Sequence, residues 1–131
     1  HGSDEQRRKY LPLLCSGEWI GAHGMSEPDS GSDAFALRTT ARRDGDEYVL
    51  DGTKTFVSEA PVADLFVVFA TVDPTLGAMG ITGFLVERDT PGLRVGNPIE
   101  KMGLRTSPMA ELILEDHWAP GCARVRTFAS D

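Results

Sequence analysis

The sequence has no stretch of 18 apolar residues; its longest apolar run is Leu65 to Ala70. That excludes a transmembrane helix. Basic residues are few: 13 Lys and Arg stand against 20 Asp and Glu, for a formal net charge of -7. The balance excludes the basic footprint by which proteins grip nucleic acid or an anionic membrane surface. It leaves room for a local basic pocket around a phosphorylated ligand. Only two cysteines occur, Cys15 and Cys122, far apart in the chain. They read as free thiols in a reducing cytosol rather than as a disulfide framework. The opening residues, His1 to Tyr10, are polar and charged and show no signal peptide. The expected location is therefore cytoplasmic. The three histidines, His1, His23 and His117, lack ligand spacing, so no metal site is expected. No G-x-S-x-G elbow is present, since Gly31-Ser32-Asp33 lacks the second glycine. There is no internal repeat and no low-complexity tract.

What remains is an ordinary globular composition, 40% hydrophobic and 25% charged over 131 residues. This is one domain's worth, long enough to bury a core without staples. The chain starts at His1 without an initiator Met, and reads as a segment of a longer protein. Ser3 to Trp19 reads as a short helix. Ser3 and Gln6 fit a capping box, Asp4 and Glu5 favour the first turn, Pro12 suggests a kink, and Ser16-Gly17 suggests a stop. After Gly21 the character changes. Gly24 to Asp33 reads as a loop by its Gly, Pro, Ser and Asp content. Strand-like runs follow at Leu37–Arg42, Tyr48–Leu50, Lys54–Val57, Leu65–Thr71, Ile81–Glu87, Leu93–Val95 and Met109–Glu115. Asp44-Gly45 and Asp51-Gly52 between such runs predict hairpin turns. The expected fold is mainly β: a small antiparallel barrel or sandwich preceded by a short helix.

Three groups of residues invite a chemical reading. The loop Ser26 to Asp33 offers serine hydroxyls and backbone N–H groups that could cradle an anion, although its residues are also common turn formers. Glu27, Asp29 and Asp33 could form a carboxylate cluster, but no EF-hand spacing is present and they read first as turn caps. Lys101 and Arg105 flank Gly103, with Arg124 and Arg126 downstream. They could hold a phosphate, and read first as a solvated turn.

Taken in order, several motifs form a series. They are Lys9-Tyr10-Leu11-Pro12, Ser16-Gly17-Glu18-Trp19-Ile20-Gly21, Ser26-Glu27-Pro28, Gly31-Ser32-Asp33 and Asp51-Gly52-Thr53-Lys54-Thr55-Phe56-Val57-Ser58. Gly83-Phe84-Leu85-Val86-Glu87, Thr90-Pro91-Gly92-Leu93 and Lys101-Met102-Gly103-Leu104-Arg105 complete it. The series closely resembles the middle domain of the acyl-CoA dehydrogenase family, over nearly the whole chain. The resemblance implies a division of the chain. Residues 1–20 would end an N-terminal helical domain, 21–120 would form the middle β-barrel, and 121–131 would link to a C-terminal helical domain.

The resemblance also implies chemistry. Family members use FAD to oxidise an acyl-CoA thioester to the trans-2-enoyl-CoA, and electrons then pass to an electron-transfer flavoprotein. The family's first flavin-binding stretch matches His23 to Ser32 and would bring His23, Met25, Ser26 and Ser32 to the flavin, and its second matches Phe56, Val57 and Ser58. Met25 and Ser26 would offer backbone N–H groups and a hydroxyl to its pyrimidine edge, where charge develops on reduction. Phe56 would cover the ring and Ser58 would bond near N5. Ser32 would contact the thioester substrate or nearby phosphates. Ser26 and Ser58 stand where the family more often has Thr, Phe56 where it has Trp, and His23 where it has an aromatic or small residue. The catalytic carboxylate has no match in this chain, and the resemblance places it beyond Asp131. It also implies a homotetramer or dimer. Two further readings stay open: a flavin oxidase or monooxygenase of the same fold, and a stand-alone β-barrel binding module.

Overall fold

A computed structural model describes residues 2–115 and the backbone of 123–125. His1, His117, Cys122, Arg126 and the side chain of Arg124 lie outside the described residues.

Helix α1 runs from Asp4 to Ser16. The Ser3 hydroxyl accepts from the Gln6 amide while the Gln6 side chain accepts from the Ser3 amide. This reciprocal cap satisfies two N–H groups that the first turn would otherwise leave orphaned. The helix ends earlier than Trp19. Gly17 takes the left-handed conformation at φ 76° and its N–H bonds the Leu14 carbonyl. Pro12 is carried inside the element.

The strands are β1 (Gly21–Gly24), β2 (Thr40–Asp44), β3 (Glu47–Ser58), β4 (Leu65–Thr71), β5 (Ile81–Glu87), β6 (Leu93–Val95), β7 (Met109–Leu114) and β8 (Ala123–Val125). The main path of the sheet is β1-β4-β2-β3-β7-β6, with β5 on β4 and β8 on β3. The result is a curled, half-barrel sheet with one short helix, as the alternating pattern leads one to expect. Asp44-Gly45 makes the tight connection between β2 and β3, with Gly45 at φ 64°.

Three features depart from the sequence reading. Asp51-Gly52 does not turn the chain. It lies inside the long strand β3, whose first half pairs with β2 and whose second half pairs with β7. A Cβ on Gly52 would meet the Thr39 Cα at 2.8 Å. The glycine is therefore there for a close backbone approach, the other use of this residue in strands. Secondly, Gly21–Gly24 forms a strand. Its two glycines lack strand propensity, but tertiary pairing with β4 overrides this. Thirdly, that pairing is parallel, Gly21 opposite Leu65 through Gly24 opposite Val68. The sheet is therefore mixed, although most of its ladders are antiparallel.

The core is formed by Leu50, Val57, Phe66, Val68, Phe84, Val86, Leu112 and Leu114, all essentially sealed from solvent. Each such side chain contributes about 1.5–3 kcal/mol of burial. The helix docks on the barrel through polar contacts from its middle. The Tyr10 hydroxyl donates to Glu87 Oε1 at 2.8 Å, and Lys9 Nζ lies 2.6 Å from the same oxygen. Two further bonds hold the helix-to-strand corner. The Ile20 amide donates to Asp64 Oδ2 at 2.9 Å, and the Asp64 amide returns to the Ile20 carbonyl at 2.8 Å. The corner places Leu14 beside β1 and the start of β4.

Candidate functional site

An open cleft of about 660 Å³ lies beside β1 and the end of β3. One wall carries His23, Met25 and Ser26, and the other carries Thr55, Phe56, Ser58 and Glu59, with Leu14, Leu65 and Val67 behind. Five residues singled out from the sequence, His23, Met25, Ser26, Phe56 and Ser58, meet here although the two motifs are separated by all of β2. The other two do not share the lining. Val57 is 1% exposed and its side chain belongs to the core, because it pairs with Ala110 on the inward face. Ser32 is exposed, on the loop beyond the Glu27–Ser30 turn, and is not among the residues that line the cleft.

The second wall is shaped by a bulge. Lys54 pairs with Leu112 and Val57 with Ala110, so β3 carries one residue more than β7 between these points. Phe56 takes φ 54° there and is 63% exposed. A left-handed non-glycine residue costs about 1–2 kcal/mol. Bulges of this kind re-aim a side chain at the rim of a barrel. Here the bulge turns an aromatic ring out of the sheet and onto the cleft. The freed Thr55 N–H donates to the Ser26 carbonyl at 2.8 Å, joining the two walls.

Beneath the walls lies a buried ion pair. Lys54 Nζ sits 2.6 Å from Glu27 Oε1, with side chains 0% and 5% exposed. Lys54 also donates to the Met25 carbonyl at 3.3 Å. Glu27 accepts from the Arg38 amide at 2.6 Å and from the Thr39 amide at 3.0 Å, and the Thr39 hydroxyl adds a short bond. Burial pushes the Lys54 ammonium below its ordinary value, with Glu27 opposing the shift. For Glu27, burial acts upward, but the donors from Lys54, Thr39 and Arg38 outweigh it and hold the carboxyl below its usual range. Glu27 is thus no turn cap. Asp33 is one, accepting from the Phe35 amide at 3.2 Å, while Asp29 makes an exposed pair with Arg38. The Ser26–Asp33 loop is closed by mutual bonds between Glu27 and Ser30, a tight turn rather than an open cradle.

Sequence reasoning missed Lys54, Thr55 and Glu59. Lys54 and Phe56 have the same parity in a period-two strand, so they should share a face. The bulge breaks that alternation, and two adjacent buried residues, Lys54 and Thr55, are its trace. Glu59 follows at φ 63° and accepts from the Ser107 hydroxyl. Lys101 and Arg105 face a separate pocket of about 330 Å³. They bond carbonyls of their own loop, Ser107 and Lys101 respectively. Among the described residues, no three of His, Cys, Asp and Glu come together as a metal site, and Cys15 is a free, exposed thiol. No described helix is long and apolar enough to cross a membrane.

The fold is thus a mixed half-barrel in which a rim bulge turns an aromatic out onto a cleft shared with Ser26 and Ser58. The profile of the acyl-CoA dehydrogenase middle domain matches residues 22–117, and the chain belongs to that family. It is 44% identical over 120 residues to a short-chain-specific acyl-CoA dehydrogenase of Clostridium acetobutylicum, covering 92% of this chain and 32% of the relative. Among solved structures it is similar to the prolyl acyl carrier protein oxidase AnaB, at 48% identity and TM-score 0.85 over 95% of this chain and 33% of that one. It is also similar to a glutaryl-CoA dehydrogenase of Mycobacterium smegmatis in complex with FADH2, at 41% identity and TM-score 0.83 over 95% of this chain and 30% of that one. The chain therefore spans about a third of the length of these proteins.

Proposed function

We propose that this chain is the flavin- and thioester-binding middle portion of an FAD-dependent acyl-CoA dehydrogenase. The observation that carries the reading is the convergence of Met25, Ser26, Phe56 and Ser58 on one cleft by means of the bulge. The residues fit the group. An exposed aromatic face suits a fused ring system, and serine hydroxyls and loop amides suit its polar edge. When bound, the flavin accepts the hydride lost from the thioester's β-carbon, chemistry that belongs to the cofactor.

The chain's own residues bind and orient. Phe56, exposed on the cleft, would cover one face of the ring and exclude water from it. The Ser58 hydroxyl, on the cleft lining, would serve as a donor to the ring's polar edge. Met25 and Ser26 would present donors where negative charge grows on reduction, and would so favour the reduced form over the oxidised one. His23 stands at the edge of the same wall, its ring tilted against Phe69 at 5.2 Å. Val57 contributes through its backbone, and Ser32 through the loop that would run toward the thioester. The base that removes the α proton is assigned to no residue of this chain.

In the full-length protein, residues 1–20 would close an N-terminal helical domain and 121–131 would lead into a C-terminal one, the whole forming a dimer or tetramer. Electron-transfer flavoprotein is the proposed acceptor. A cytoplasmic location accords with the free thiol of Cys15. The likeness to a prolyl acyl carrier protein oxidase favours a second reading, in which the thioester is borne by a carrier protein and oxygen takes the electrons.

The test is the anaerobic visible spectrum of the full-length protein with a panel of acyl-CoAs. Bleaching of the flavin bands by one thioester supports the first reading and names the acyl class. Flavin bands that only a carrier-bound thioester bleaches, with oxygen consumed on turnover, support the second. Absence of bound flavin overturns both.

A further inference from the structure

The Glu27–Lys54 pair lies under the cleft, nearly sealed from solvent, yet it is bonded to the wall that faces outward. Lys54 Nζ donates to the Met25 carbonyl at 3.3 Å and to Glu27 Oε1 at 2.6 Å. The Met25 carbonyl and the Ser26 N–H belong to the same planar trans peptide, and so point in opposite directions. A carbonyl drawn inward to Lys54 therefore turns the Ser26 N–H away from the interior, on the side where Met25 and Ser26 line the cleft. The next peptide is fixed as well. The Ser26 carbonyl accepts from Thr55 at 2.8 Å, and the Glu27 amide donates to Ser30 at 2.8 Å. Glu27 in turn is held by Thr39 and by the Arg38 amide, which anchors the ammonium that does the pulling.

We propose that Lys54, held by Glu27, is a positioning residue that sets the direction of the Met25–Ser26 peptide and thereby aims the Ser26 N–H at the cofactor. This rests on the flavin reading above and adds to it the residue that orients the donor. A buried charge pair is a costly way to fill a core, since matched apolar side chains often serve stability as well. Glu27's bonds to Arg38 and Thr39 hold the pair in place, and the bond that Lys54 adds toward the cleft wall, which an apolar side chain would not supply, is the one to the Met25 carbonyl.

The test compares the full-length protein with Lys54→Met and with the double variant Glu27→Gln, Lys54→Met. The single change strands a carboxylate in the interior. The double change removes both charges while an amide keeps an acceptor for Thr39 and Arg38. The readouts are thermal melting of the apoprotein, the flavin spectrum and the two-electron midpoint potential. The double variant is expected to fold and bind FAD, with the reduced flavin losing about tenfold more affinity than the oxidised one. That is a potential about 30 mV more negative than the parent's. A folded double variant with the parent's potential and spectrum overturns the proposal while leaving the flavin reading intact. Failure of both variants to fold also overturns it, since the pair would then be a strut of the core. Absence of flavin from the unmodified protein sinks the flavin reading itself, and this inference with it.

Discussion

Thr55 and Ser26 meet backbone to backbone across the cleft, the Thr55 N–H donating to the Ser26 carbonyl at 2.8 Å. They belong to motifs separated by all of β2, and the bond falls where β3 slips register against β7. The slip frees a ladder N–H, and the first wall takes it up. Bulge and loop thus hold each other.

Replacing Phe56 with glycine separates stability from binding. The ring is 63% exposed and sits at φ 54°, so its removal forfeits little burial and relieves the backbone. The apoprotein is expected to gain up to about 1 kcal/mol, while FAD binds more weakly for want of the aromatic face. Thermal melts and a flavin titration check both signs; a less stable apoprotein would show that the bulge needs the ring.

Gly52→Ala is expected to cost about 1–3 kcal/mol or more, because the new methyl overlaps Thr39 backbone as well as side chain. Thr39 holds Glu27, so the damage should reach the cleft and lower flavin content too. Urea denaturation of the variant checks the first part, and absorbance of the purified protein the second.

Acid should unfold the protein partly through Glu27. Its folded carboxyl lies below its ordinary value of 4.5. A depressed carboxylate contributes stability that is present above the unfolded value and lost as pH falls through the folded one. Glu87, lowered chiefly by Lys9 and then by Tyr10, acts in the same direction. Glu27→Gln is expected to be about 3 kcal/mol less stable at neutral pH, since Lys54 is left buried without its counter-charge. Its stability should also fall less steeply below pH 4.5. Melting temperature against pH for parent and variant measures both; an unchanged acid limb would exclude Glu27 from it.

Arg88 caps a turn with no carboxylate involved. Its guanidinium donates to the carbonyls of Ala60 at 3.2 Å, Pro61 at 2.8 Å and Ala63 at 2.6 Å. Arg88→Met should destabilise the protein by about 2–3 kcal/mol, as carbonyls lose a charged donor. It should also loosen Ser58 and Glu59, which lead into that turn. Hydrogen exchange at Val62 and Ala63, whose amides bond the Glu59 carbonyl, reports the loosening.

The sheet was legible where local chemistry decides it. The Ser3–Gln6 cap, the Asp44-Gly45 turn and the apolar run of β4 all follow from residue type and period. Asp51-Gly52 misled, because the same dipeptide serves a turn and a close approach, and only Thr39 tells them apart. Strand β1 was hidden because its glycines have no propensity; β4 recruits it. In the cleft, five lining residues were readable from the motif series. Lys54 was not, since its partner Glu27 lies on another loop and the bulge hides its parity.

The parallel pairing of β1 with β4 has a consequence for how the protein acquires this shape. No hairpin can bring Gly21 beside Leu65, because β2 and β3 intervene in the chain. Pairings of such sequence separation are slow to form, as the closure entropy precedes the reward. The wall bearing His23, Met25 and Ser26 therefore waits on a long loop closure, as does the pairing of β3 with β7 at the other wall. A nascent chain would carry its local pairs, β2 with β3 and β4 with β5, before the two walls could meet around a ligand.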